Sequence, residues 1–207
     1  MVSGRVAPFD PHPKTDSGYR SARRQLRAAF SRWAKANARD LSPDCFEELV
    51  HLKWAHLDGR LTRWRRADLD AVLLELFPAK VIVEGPDIDD IVPGTATFIS
   101  FLADTGLLDP ASDQPHKLCA RLERISRRFR RRMADRRRYS PGKRFWLAAA
   151  EAGVPLDDDD AIEAFIQQFN ARPHTEREAI LGRRTQLLTA HGLLTSLPSP
   201  PQRADQP

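Results

Sequence analysis

Five apolar residues recur at helical spacing through the most basic stretch of the chain. They are Leu118, Leu122, Ile125, Phe129 and Met133. Their separations of four, three, four and four positions place them in one stripe about 80° wide on an α-helix. Arg136 would return to that stripe, so the buried part of the helix is expected to end near Asp135. The pattern predicts a helix that packs on a core by one narrow face and leaves the rest in water.

Arginine covers the remainder of this helix and the turn that follows it. Residues 121–144 contain eleven Arg and one Lys against one Glu and one Asp. Three interpretations are open for such a row: a solvated helix face, a surface for a polyanion such as nucleic acid, or a protein-binding surface. Ser112 or Asp113 is expected to cap the start of the helix, and Pro115 suits its first turn. The candidate polyanion-binding residues are Arg124, Arg127, Arg128, Arg130, Arg131, Arg132, Arg136, Arg137 and Arg138.

Charge alternates in blocks along the chain. Residues 1–39 carry a net charge of +7 and residues 111–144 a net charge of +10, whereas residues 40–110 carry −8 and residues 145–207 carry −4. Such blocks have two interpretations. In the first, the basic and acidic blocks neutralise one another within the fold. In the second, the basic helices face outward toward a polyanion.

Helical periodicity extends through most of the chain. Besides the basic helix, the pattern predicts helices over residues 18–38, 43–57, 66–77, 93–105, 142–151, 157–170 and 174–191. Pro78 is expected to stop the third helix, and residues 80–83 are expected to form an extended connector because no partner strand is evident. Gly106 and Gly192 suit left-handed C-terminal caps. The predicted fold class is all-α, an irregular bundle of about eight helices.

Length and composition set bounds on the organisation of the chain. With 207 residues and 41% hydrophobic content, it has enough apolar material for one sizeable core or two small helical domains. Residues 1–16 and 196–207 are predicted to be disordered tails, because they contain several prolines and lack apolar periodicity. A helical domain over residues 17–195 is predicted between them, with a sub-division near residue 110 or residue 140.

The cellular location is predicted from what the sequence carries and lacks. No segment has the apolar stretch of a secretory leader, and no apolar run approaches the roughly 18 residues of a membrane span. Cys45 and Cys119 stand alone, without a CxxC pair, which favours a reduced protein. The sequence therefore predicts a cytoplasmic protein without membrane association.

Motifs for catalysis, cofactors or metals are not evident in the sequence. His116 and Cys119 are three positions apart but lack a second pair of ligands. Residues 157–160 lack the alternating ligands and the glycine of a calcium loop, and are expected to cap a helix instead. Residues 140–143 contain a Gly-Lys pair without the phosphate-loop pattern. We therefore predict no catalytic, cofactor or metal residue and a non-enzymatic protein, with an active site assembled only by the fold as the alternative.

Two segments resemble a known group of proteins. The first begins at Lys53-Trp54, passes through Asp58-Gly59, Trp64 and Asp68-Leu69, and ends with FISFLADTGLLDP; the second reads FWLAAAEAGVPLDDDDAIEAFIQQFNARPHTERE. Together they resemble uncharacterised all-helical proteins common in actinobacteria, over roughly residues 43–182. The resemblance implies an all-helical fold and carries no activity.

The predicted function is an interaction or adaptor role without catalysis. The leading hypothesis is that the basic helix binds nucleic acid through phosphates, with weak sequence selectivity and steep salt dependence. The alternative is a protein-interaction module whose basic helix pairs with an acidic protein or with the acidic half of its own chain. No sequence feature indicates the oligomeric state.

Overall fold

The computed structural model describes residues 9–38, 44–83 and 87–182. These residues form helices, turns and loops, and no β-strand occurs within these three ranges. Eight helices run through them when residues 66–80 are counted as one continuous helix. The predicted all-α fold class is confirmed.

The helices follow one another in a simple order along the chain. They are α1 (Asp16–Ala36), α2 (Asp44–His56), α3 (Arg66–Asp70), α4 (Phe77–Lys80), α5 (Asp87–Asp104), α6 (Pro115–Ala134), α7 (Pro141–Glu151), α8 (Asp159–Ala171) and α9 (His174–Leu181). A π-helical turn (Ala71–Leu76) joins α3 to α4 without a break, and a 3-10 turn (Arg136–Arg138) follows α6.

Two compact units divide the chain. Unit 1 covers Met1–Pro78 and Val83–Ala134, and unit 2 covers Ala79–Ile82 and Asp135–Pro207. Apart from the short segment Ala79–Ile82, unit 2 begins at Asp135, directly after the last residue of α6.

An aromatic cluster holds α1, α2 and α5 together in unit 1. The rings of Phe46 and Phe98 stack with their centroids 4.6 Å apart, and Phe30 meets Phe101 edge to face at 5.4 Å. All four side chains are fully buried. Stacked and edge-to-face pairs of this kind add about 0.5–1.5 kcal/mol each to the free energy gained by burying apolar area.

The basic helix α6 packs on unit 1 through the predicted apolar stripe. All five residues of the stripe are buried, and Phe129 meets Phe77 edge to face with centroids 5.8 Å apart. The helix ends at Ala134, one residue before the expected limit. A stripe this narrow leaves the opposite side of the helix in solvent.

The predicted caps of α6 bond to the start of another helix and to the loop before it. Asp113 Oδ2 accepts a hydrogen bond from Arg66 N at 2.9 Å and so supplies an acceptor to the first turn of α3, whose N–H groups lack partners within the helix. Ser112 Oγ accepts one from Trp64 N at 3.0 Å, in the loop before α3. The prediction that Ser112 or Asp113 caps α6 is therefore wrong.

Proline positions also depart from the predicted helix limits. Pro78 does not stop the third helix, which runs through the π-helical turn to Lys80. Proline lacks an N–H for the carbonyl four residues earlier, and here the Leu74 carbonyl accepts a hydrogen bond from Arg132 Nη1 at 2.6 Å. α5 begins at Asp87, six residues before the expected start, and contains Pro93.

The segment before α1 is held against unit 1. Leu61 N donates to the Pro11 carbonyl at 2.8 Å, and Trp54 Nε1 donates to the Pro13 carbonyl at 3.0 Å. Residues 9–16, expected to belong to a disordered tail, are thus fixed by hydrogen bonds to the α2 helix and the loop after it. Residues 1–8 and 183–207 lie outside the described residues, and with them the predicted C-terminal tail, the end of the last predicted helix and Gly192.

Unit 2 is built around a small apolar core. Its buried members are Phe145, Trp146, Ala149, Phe165, Phe169 and Leu181. Ser140 Oγ caps α7 by accepting from Lys143 N at 3.2 Å, and Asp158 caps α8 by accepting from Asp160 N and Ala161 N. The capping role predicted for the aspartates of residues 157–160 is confirmed for Asp158.

Candidate nucleic-acid interface on α6

The arginines of α6 fall into two groups according to their angle around the helix. Three of them border the buried stripe, and we call Arg121, Arg130 and Arg132 the flank arginines. Four of them lie on the side opposite the stripe, and we call Arg124, Arg127, Arg128 and Arg131 the crest. The spacing of the crest, at positions i, i+3, i+4 and i+7, places its side chains within an arc of about 100°.

Two flank arginines on one side of α6 bind acidic residues of the third helix, which is the continuous helix over residues 66–80. Arg121 donates from Nε and Nη2 to the two carboxylate oxygens of Asp70, at 2.8 and 2.5 Å. Arg132 bonds to the Glu75 carboxylate as well as to the Leu74 carbonyl. Its side chain is only 13% exposed. Paired hydrogen bonds from a guanidinium fix geometry as well as charge, so these two arginines position α6 on the third helix.

The flank arginine on the other side is more exposed. Arg130 Nε lies 2.6 Å from Asp89 Oδ1, with the two side chains 55% and 57% exposed. An exposed ion pair of this kind contributes about 0–1 kcal/mol, because water screens it. Arg130 therefore neutralises Asp89 locally and adds little to the packing of α6.

The crest stands apart from this pairing. All four of its arginines are exposed, and none forms a salt bridge or a side-chain hydrogen bond with any residue that the structure describes. At 1.5 Å per residue, the crest spans about 10 Å along the helix axis. Exposed Lys117 lies seven positions before Arg124 and extends the row. The crest is a compact positive surface directed at solvent.

Three predicted site residues lie outside α6. Residues 136–138 form the 3-10 turn of unit 2, where Asp135 Oδ1 accepts from Arg137 N at 3.1 Å. Arg136 Nη2 lies 3.0 Å from Glu151 Oε1, and Arg138 Nε lies 3.5 Å from Asp135 Oδ2. These three arginines therefore belong to unit 2 and lie beyond the end of α6 at Ala134.

Arg132 also belongs to the predicted set. Its guanidinium is engaged by Leu74 and Glu75, and its side chain is only 13% exposed. Lys117 is not in the predicted set, although helical spacing places it on the crest side.

In unit 1 the acidic block neutralises some of the arginines and leaves the crest unpaired among the described residues. The flank arginines bind Asp70, Glu75 and Asp89, all from the acidic block of residues 40–110. Arg23 of the N-terminal basic block likewise binds Glu47. Neutralisation accounts for these arginines, whereas the crest keeps its charge exposed.

A buried charge network forms a second notable cluster in unit 1. Lys53 is fully buried, and its Nζ lies 3.0 Å from both Asp58 Oδ1 and Asp68 Oδ2. The same ammonium lies 4.9 Å from the centroid of the Trp64 ring. Partial burial raises the pKa of Asp58, but hydrogen bonds from Arg60 N, Lys53 and Arg63 outweigh it and lower the pKa to about 2. The network ties the end of α2 to the start of α3.

Unit 2 contains a buried lysine that sequence reasoning missed. Lys143 is almost fully buried, and its Nζ lies 4.0 Å from the centroid of the Tyr139 ring. Burial lowers the pKa of Lys143 to about 8. A cation over an aromatic face recovers part of the hydration that the ammonium loses, so this pair is explained by packing at the start of α7.

The described residues contain neither a cluster of metal ligands nor a membrane-spanning helix. Across residues 9–38, 44–83 and 87–182, no group of three or more His, Cys, Asp or Glu side chains is arranged to hold a metal ion. None of the helices in this part of the chain is both long enough and apolar enough to cross a membrane.

Comparisons with known proteins give no match. No family model, no curated protein and no solved structure matches the chain. The resemblance to actinobacterial helical proteins therefore stays a prediction. The buried charge network contains four of the residues on which the resemblance rests: Lys53, Asp58, Trp64 and Asp68.

Proposed function

We propose that the chain is a non-enzymatic nucleic-acid-binding protein whose crest contacts the phosphate backbone. The observation that carries the proposal is the separation of the two groups of arginines on α6. The flank arginines are engaged by acidic residues of unit 1, whereas the crest is exposed and has no partner among the described residues.

The chemistry of the crest suits phosphate better than a single small anion. Guanidinium groups donate hydrogen bonds in a planar fork that matches phosphate oxygens. Four of them spaced over about 10 Å match a ligand whose negative charges also repeat along a line, as they do in nucleic acid. Such binding is expected to be weakly selective for sequence, because phosphates position a protein without specifying bases.

Fluorescence anisotropy of labelled DNA and RNA tests this proposal, with the purified chain titrated at several salt concentrations. Four phosphate contacts predict a slope of log affinity against log salt near −3.6 on duplex DNA, since each contact contributes about −0.9. A variant with Arg124, Arg127, Arg128 and Arg131 changed to Ala should lose most of this affinity while keeping its helical circular dichroism.

A matched control separates the crest from net charge. Arg20, Arg24, Arg32 and Lys35 of α1 are exposed, and changing all four to Ala removes the same charge from unit 1. Retained binding in this control alongside loss in the crest variant supports the proposal. Equal losses in both variants would show that net charge alone attracts the ligand. No binding at low salt would contradict the proposal and leave an acidic protein as the ligand class for the crest.

A further inference from the structure

We infer that the crest prefers double-stranded DNA to single strands and to double-stranded RNA. The inference rests on the proposed function and adds the class of nucleic acid to it. Two observations carry it: the burial of the aromatic side chains and the rigid, purely cationic character of the crest.

The first observation concerns stacking. All ten Phe, four Trp and two Tyr of the chain lie within the described residues, and none of them is exposed. Three of the four half-buried rings have a partner: Trp33 lies against Phe101, Trp54 stacks on Tyr19 with centroids 4.2 Å apart, and Tyr139 lies under the Lys143 ammonium. Proteins that bind single strands stack bases on exposed aromatic rings, at about 1–3 kcal/mol per base. The described surface has no such ring, so a single strand gains only its phosphate contacts.

The second observation concerns shape. The crest belongs to a helix fixed on its core by five buried residues, so its charges have a set spacing. Arg127 and Arg128 diverge by about 100° around the axis, which lets them reach phosphates on opposite sides of a groove. The major groove of B-form DNA is about 12 Å wide and admits a helix, whose diameter is about 10–12 Å. A duplex presents phosphates in fixed rows, whereas a single strand must be ordered to match the crest.

Duplex RNA offers a less suitable surface. Its major groove is deep and narrow, and proteins recognise it mainly across the shallow minor groove through 2′-hydroxyl and phosphate contacts. The crest contains only guanidinium groups, which donate but cannot accept, because Ser126, which lies between Arg124 and Arg127 in the sequence, falls beside the buried stripe by helical spacing. The crest therefore suits phosphates and has no acceptor for the proton of a 2′-hydroxyl.

Competition anisotropy with the full chain tests the preference, using a short labelled DNA duplex, one of its separated strands, and the RNA duplex of the same sequence. We expect the DNA duplex to bind about sixfold more tightly than the single strand at 0.1 M salt, because four phosphate contacts release more counterions from a duplex and no stacked base compensates the single strand. The salt slope should be near −3.6 on duplex DNA and near −2.8 on the single strand, because each contact releases fewer counterions there.

Paired substitutions make the outcome specific. Arg127→Ala with Arg128→Ala should reduce the slope on duplex DNA by about 1.8, whereas Arg20→Ala with Arg24→Ala on α1 should leave it unchanged. Equal or tighter binding of the single strand, with the crest still required, would overturn this inference and keep the proposed function. Equal or tighter binding of duplex RNA would overturn the choice of DNA. Absence of binding to all three would remove the proposed function itself.

Discussion

The two sides of α6 carry the same residue type on the same helix and use it differently. The flank arginines bind Asp70, Glu75 and Asp89, and two of them fix the helix to its neighbour. The crest lies opposite the core and keeps its charge in solvent. One arginine-rich segment thus contains two populations, and the contacts of each guanidinium decide whether its charge is paired within the fold or left in solvent.

Lys53 is a paired cation that is fully buried, between Asp58 and Asp68. Lys53→Ala should lower the free energy of unfolding by about 3–5 kcal/mol, because it leaves Asp58 and Asp68 without their shared partner. Urea unfolding followed by circular dichroism measures the change. Lys117→Ala, on the exposed crest side, is the matched control and should change stability by less than about 0.5 kcal/mol. Similar values for both lysines would break the distinction between paired and solvated cations.

Neighbouring arginines on α6 test the comparison directly. Arg132→Ala removes hydrogen bonds to Leu74 and Glu75, and should lower the free energy of unfolding by about 2 kcal/mol. Arg131→Ala removes a crest side chain and should leave stability within about 0.5 kcal/mol while weakening nucleic-acid binding. Thermal unfolding and anisotropy on the same two proteins should show opposite rank orders. A rank order shared by both measurements would contradict the division into flank and crest.

Acid sensitivity provides a third test of the paired charges. The pKa of Asp58 is lowered from 3.8 to about 2 in the folded chain. The ionised carboxylate thus stabilises unit 1 fully above pH 3.8, and this contribution is lost as the pH falls through about 2. After allowance for partial exposure the loss is about 1 kcal/mol. Asp58→Asn should flatten this part of the stability profile between pH 4 and pH 2. An unchanged profile would remove Asp58 from the network.

The smallest effect is expected for the exposed flank pair. Arg130→Ala should change the free energy of unfolding by less than about 0.5 kcal/mol, because both members of its ion pair with Asp89 are solvated. The change in nucleic-acid affinity should also be smaller than for Arg131→Ala, since Asp89 already neutralises Arg130. A loss of affinity equal to that of Arg131→Ala would extend the binding surface onto the flank.

Local patterns predicted the parts of the fold that depend on local contacts. The apolar stripe of α6 and its end near Asp135 follow from helical periodicity. The left-handed cap at Gly106, where φ is +69° and Leu108 N bonds to the Leu102 carbonyl, follows from the glycine and the leucines after it. In each case the residues that interact lie within a few positions of one another.

Predictions that depended on distant residues were the ones that were wrong. Pro78 was expected to end a helix, but the Leu74 carbonyl that it leaves without a donor bonds to Arg132, 58 positions from Leu74. Asp113 was assigned to the nearest helix, although it accepts from Arg66, 47 positions away. The flank pairs have the same character, because residue type alone cannot tell which arginine will meet a carboxylate. The crest itself was included in the predicted set, and only the fold separates it from the other arginines.

The distribution of tryptophan has a practical consequence for studying the two units. Trp33, Trp54 and Trp64 belong to unit 1, and Trp146 is the single indole of unit 2. With tryptophan excited selectively, a Trp146→Phe protein would emit only from unit 1, and the difference between its emission and that of the parent chain would isolate the signal of unit 2. Intrinsic fluorescence can therefore follow each unit of this chain separately, without an added dye.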